Sequence, residues 1–80
     1  MNIENKLGEV LRKYRKKMGF SQEELAFRCG LERVYISMIE RGQRKPTVHT
    51  MFIICKELRI RPSAFFNEIE ESLIDFKFED

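Results

Sequence analysis

Eighty residues make one small domain, and 42% apolar with 35% charged residues is the balance of a folded chain, not a disordered one. No apolar run approaches the roughly 20 residues that a membrane-spanning helix needs, and Met1-Asn2-Ile3-Glu4-Asn5 lacks the basic-then-apolar layout of an export signal, so a cytoplasmic protein with no membrane partner is expected. The net charge of +2 is uneven: residues 1–47 hold 11 Lys and Arg against 6 acidic residues, and residues 48–80 hold 4 against 7.

Ile3, Leu7, Val10, Leu11, Tyr14 and Met18 recur at helical spacing, with Arg12, Lys13, Lys16 and Lys17 mostly elsewhere around the cylinder, and Gly19 ends this first helix. Ser21-Gln22-Glu23-Glu24 is a capping box that opens a short second helix, Gln22 through Cys29, with Leu25, Ala26 and Cys29 inward. Gly30 stops it. A third helix, Glu32 to Arg41, puts Ile36 and Ile39 on one side and Arg33, Val34, Ser37, Met38 and Arg41 on the other. Gly42 and a basic loop, Gln43-Arg44-Lys45-Pro46, separate it from a fourth helix that Thr47 caps and that runs through Leu58. Pro62 at a first helical position starts a fifth, carrying Ala64, Phe65, Phe66, Ile69 and Leu73. Ile74 to Glu79 alternate apolar and charged residues with the period of a strand, over too short a span to decide. The expected fold is all-α, with Cys29 and Cys55 as reduced, buried apolar residues.

The informative stretch is Gln22 to Arg41, two short helices joined by Gly30-Leu31. Ala26 lies four positions before the glycine, where two helix backbones must come close, and Ile36 and Ile39 pin the second helix to the first. So short a turn makes the helices meet steeply, and the outer face of the second then projects from the body. A protruding helix suits the major groove of B-DNA, about 12 Å wide. The basic front half fits a polyanion, although a charged helix face by itself is ordinary solvated surface. Catalysis has no foothold: there is no nucleophile–base arrangement, no paired acids and no glycine-rich phosphate loop. His49, the one histidine, has no ligand partners at metal spacing, so no metal, cofactor or small-molecule ligand is expected.

Ser21-Gln22-Glu23-Glu24-Leu25-Ala26, Gly30-Leu31, Tyr35-Ile36-Ser37, Ile39-Glu40-Arg41-Gly42 and Pro46-Thr47, in this order and spacing, make residues 7–66 resemble the phage Cro/repressor-type, or XRE, helix-turn-helix family. Glu32 to Ser37, Arg44, Phe65-Phe66 and the length add a likeness to the controller proteins of restriction–modification systems. The resemblance implies a compact five-helix, lambda-repressor-like domain over residues 1–66 that binds double-stranded DNA and regulates transcription. It implies base contacts from Arg33 and Val34, base-edge or phosphate contacts from Tyr35 and Ser37, and Met38 at the groove edge. Ser21, Gln22, Arg41, Arg44 and Lys45 fall at phosphate-contacting positions, and Arg15 and Glu40 match a partly buried structural ion pair. Glu32 departs from the pattern, because Ser, Thr or Asp is favoured where it caps the third helix.

Such domains read pseudo-palindromes as two-fold dimers. Ile53, Ile60, Phe65, Phe66, Ile69 and Leu73 exceed what four helices can bury, so a homodimer is expected through the fifth helix and the tail, residues 67–80, read as a helical extension. Two other readings of the chain are an antitoxin-type DNA-binding protein with a toxin partner and an interaction module without DNA binding. Co-purification with a neighbouring gene product marks the first; the Arg33, Arg41, Arg44 and Lys45 cluster argues against the second.

Overall fold

The computed structural model describes residues 2–73 and 76, and within them five helices and no strand: α1 (Ile3–Lys17), α2 (Gln22–Cys29), α3 (Arg33–Glu40), α4 (Val48–Leu58) and α5 (Pro62–Ser72). Local chemistry sets each boundary. Asn2, Ser21 and Thr47 accept from the backbone N–H of Asn5, Glu24 and Thr50, satisfying amides that a helix start leaves without partners. Pro62 opens α5 where no N–H is missed. The expected capping box is only half formed: the Glu24 carboxylate turns forward to Arg28 Nε at 2.7 Å, one helical turn on. An i,i+4 ion pair and a reach back to the cap compete for the same carboxylate.

The apolar stripes meet in one core. Leu11, Leu25, Ile36, Ile39, Ile54 and Phe65 have no exposed surface, and each helix contributes at least one of them. Fully burying an aliphatic side chain stabilises by about 1.5–3 kcal/mol, so Ile36 and Ile39 suffice to seat an eight-residue helix that would not form alone. Lys13 of α1 pairs with Glu68 of α5 across the surface.

Three residues expected at a dimer interface belong instead to this core. Phe65 is fully buried, and Ile69 and Leu73 are nearly so, because α5 turns its i, i+4, i+8 stripe onto α1 and α4. Helix α5 runs unbroken across residue 66 to Ser72, so the first part of the expected tail, residues 67–72, continues it as helix. The alternating segment Ile74–Glu79 lies outside the described residues apart from Phe76, which borders a cleft with Ile3, Phe66 and Glu70. Phe66 stays exposed there, its ring edge-on to Phe65 at 5.6 Å. Ile53 and Ile60 are half-buried in a second shallow apolar cleft with Phe52, His49, Lys56 and Pro62.

Candidate nucleic-acid interface

The turn between α2 and α3 aims the second of these helices. Gly30 adopts φ 68°, ψ 30°, a left-handed conformation that costs a side-chain-bearing residue about 1–2 kcal/mol. The Leu31 N–H then returns to the Ala26 carbonyl at 2.8 Å, so the chain reverses within two residues. With Ile36 and Ile39 facing inward, the opposite face of α3 must project. Arg33 and Arg41 are exposed there, Val34 keeps 60% of its surface, and Ser37 and Met38 are half-buried between them. Glu32 precedes the helix without a side-chain cap, so its carboxylate stays at the surface beside Arg33.

Beyond α3 the chain folds back, Gln43 N–H donating to the Met38 carbonyl at 2.8 Å, and carries Arg44 and Lys45 into solvent. The Arg44 guanidinium lies over the Tyr35 ring, 4.9 Å from its centroid, and Tyr35 packs its other surface on the core. On the far side, Ser21 and Gln22 begin α2. Ser21 is exposed but its hydroxyl already accepts from Glu24, and Gln22 is half-buried with Nε2 donating to Glu40 Oε1 at 3.1 Å.

That Glu40 carboxylate is the centre of a small polar network. Arg15 Nε donates to Oε2 at 2.6 Å and a terminal nitrogen of Arg15 to Oε1 at 3.0 Å, while the other terminal nitrogen reaches the Phe20 carbonyl at 2.8 Å. Both side chains are nearly buried, at 10% and 4% exposure. Helix α1, the α1–α2 loop and both helices of the motif are therefore tied at one point. Sequence reasoning found the Arg15–Glu40 pair through resemblance. It missed the Gln22 link and the Tyr35–Arg44 stack, because each joins two different elements, and helical periodicity relates only residues of one helix.

Among the described residues no group of three His, Cys, Asp or Glu could hold a metal ion, and no helix is long and apolar enough to cross a membrane. Burial pushes the Cys29 and Cys55 thiols up to about 11, with Glu57 adding to the rise at Cys29, so neither is a nucleophile at neutral pH.

Comparison with known proteins agrees with this geometry. A helix-turn-helix family model matches residues 11–65, from the middle of α1 into α5. The control protein C.BamHI of Bacillus amyloliquefaciens is 44% identical over 62 residues, spanning 76% of both chains. The crystal structure of the restriction–modification controller C.AhdI from Aeromonas hydrophila superposes with a TM-score of 0.75 at 40% identity, covering 78% of this chain and 94% of that one. The controller C.Esp1396I, solved as a tetramer on its natural 35 base-pair operator, superposes with a TM-score of 0.82 at 32% identity over 94% of this chain and 99% of that one. A projecting α3 on a five-helix body, matched over most of its length by proteins of one kind, has a single interpretation: the chain belongs to the Cro/repressor-type, or XRE, helix-turn-helix family of DNA-binding transcriptional regulators.

Proposed function

We propose that this protein is a cytoplasmic, cofactor-free controller of a restriction–modification system that binds a pseudo-palindromic operator as a homodimer. The observation that carries the reading is the outward face of α3, which stays exposed at Arg33 and Val34. Arg33 suits a bidentate contact to the O6 and N7 of guanine, a pairing worth about 1–3 kcal/mol of discrimination, and Val34 suits a thymine methyl group. Ser37 and Met38 line the same strip of groove. Arg41, Arg44 and Lys45 flank it with positive charge for the phosphates, and the exposed Ser21 end of α2 offers amide donors to another phosphate. Gln22 keeps one amide hydrogen for that role after its bond to Glu40. Two copies joined through Phe52, Ile53 and Ile60 would present two such helices about 34–36 Å, one turn of DNA, apart.

Selection from a random duplex library tests this directly, and the enriched sequences should contain inverted half-sites one helical turn apart. On such a duplex Arg33→Ala should relax the preference at one base pair of each half-site. Lys45→Ala should instead weaken every sequence about equally and flatten the log–log salt dependence by about 0.9 for each phosphate no longer neutralised. Parallel loss of specific and non-specific binding in both variants would remove Arg33 from the base-reading role.

A further inference from the structure

Arg44 stands in the loop after α3, where a long side chain ordinarily samples many rotamers and loses that freedom on binding. Here the loop is anchored on both sides, by the Gln43–Met38 backbone bond before it and by Pro46 with the Thr47 cap of α4 after it. Among the described residues the Arg44 guanidinium makes no ion pair. It rests on the Tyr35 ring, and Tyr35 is half-buried against the core, so the ring is a fixed shelf. No hydrogen bond from the guanidinium to a described residue accompanies this contact, so its five N–H donors are left for a ligand. Both residues line a shallow cleft with Leu31, Val34 and Met38, beside the exposed strip of α3.

We propose that Tyr35 is a positioning residue for Arg44: its ring holds the guanidinium against the end of α3, so that the donors meet a DNA phosphate already oriented. This rests on the DNA-binding reading above, and assigns the binding role of Tyr35 to its ring and not to its hydroxyl. An exposed cation–π contact corresponds to about a two- to five-fold effect on affinity.

The test is a set of dissociation constants, measured by fluorescence anisotropy at several salt concentrations on a duplex selected with the wild-type chain. Tyr35→Phe keeps the shelf and should bind within about two-fold of wild type. Tyr35→Leu should bind about two- to five-fold more weakly with an unchanged salt slope, since Arg44 still reaches its phosphate. Arg44→Ala should bind more weakly still with a flatter slope, and adding Tyr35→Leu to it should cost nothing further. Arg44→Lys, a change in an exposed loop that leaves the fold alone, keeps the charge without the flat face and should repeat the Tyr35→Leu result even if that variant folds poorly. The proposal is overturned if Tyr35→Phe loses as much as Tyr35→Leu, if the Tyr35→Leu penalty persists undiminished beside Arg44→Ala, or if Arg44→Lys binds like wild type. A wild-type chain that selects no duplex overturns the functional reading itself, and with it this inference; additive losses in a chain that binds well overturn the inference alone.

Discussion

At Gly8 the first and third helices approach so closely that an added methyl carbon would lie 2.5 Å from the Glu40 carbonyl oxygen and 2.6 Å from that of Ile39. Both obstacles are backbone, so they cannot swing aside; α3 would have to move, and with it the strip that faces the groove. Gly8→Ala gains about 1 kcal/mol in helix propensity, yet the overpacking should cost about 1–3 kcal/mol or more at so short a distance. We expect a net fall of several degrees in the thermal midpoint, and an unchanged or higher midpoint would mean that the helices part freely. Arg15 acts at the same junction by charge. Among the described residues, Arg15→Ala leaves the nearly buried Glu40 carboxylate with only the Gln22 side chain to donate to it, and breaking such a pair costs about 3–5 kcal/mol. Replacing both partners by apolar residues, as in Arg15→Met with Glu40→Leu, should return most of that loss in urea denaturation. A double variant as unstable as the single one would show that the pair contributes more than the relief of an unpaired charge. Neither junction stands out in the bare periodicity of the chain. Gly8 is silent in a hydrophobic pattern, since a missing side chain is neither apolar nor polar, and the partner of Arg15 lies 25 residues away.

Single helices were far more legible, because their ends are written in local chemistry. Ser21, Thr47 and Pro62 announce starts, Gly30 a stop, and the observed bounds fall within a residue of those signals. The end of α4 carries no such mark. Arg59 closes it at φ 57°, ψ 40°, the one described residue other than glycine with positive φ, with its N–H on the Lys56 carbonyl and that of Ile60 on Cys55. A glycine would do this without strain, so the position looks like an ordinary exposed arginine until the backbone is seen. Arg59→Gly should raise stability by about 0.5–1 kcal/mol, the relief of the left-handed strain less the added freedom of the unfolded chain. Chemical denaturation reads that difference, and a loss of stability would mean that the Arg59 side chain holds more than its backbone costs. The fifth helix illustrates a different limit. Phe65, Ile69 and Leu73 form an apolar stripe that periodicity detects, but periodicity says only that a face avoids water, not whether α1 or another subunit covers it.

At the scale of the whole molecule, among the described residues, one apolar cleft at Phe66 and another at Phe52 flank the core, and they differ in how far the chain covers them. Phe66 already spends one edge on Phe65, and Phe76 borders its cleft; Phe52 is 54% exposed beside Ile53, Ile60 and Pro62, on a face that continues along α4 to Val48. A domain of this size buries only about 60% of its unfolded surface and gains from hiding such a face. We therefore assign the two-fold contact to the Phe52 side. Phe52→Glu places like charges opposite each other across a symmetric interface, while the exposed position spares the fold. By sedimentation at micromolar concentration the wild type should be a dimer, Phe52→Glu a monomer and Phe66→Glu still a dimer. On a duplex with two half-sites, Phe52→Glu should lose about 10²–10⁴-fold in affinity, because each recognition helix then binds without the other tethered near its site. Its salt slope should fall to about half, since one protomer neutralises half the phosphates. If Phe66→Glu is the variant that dissociates, the interface lies on the α5 side, and two α3 helices must reach the groove from a differently placed axis.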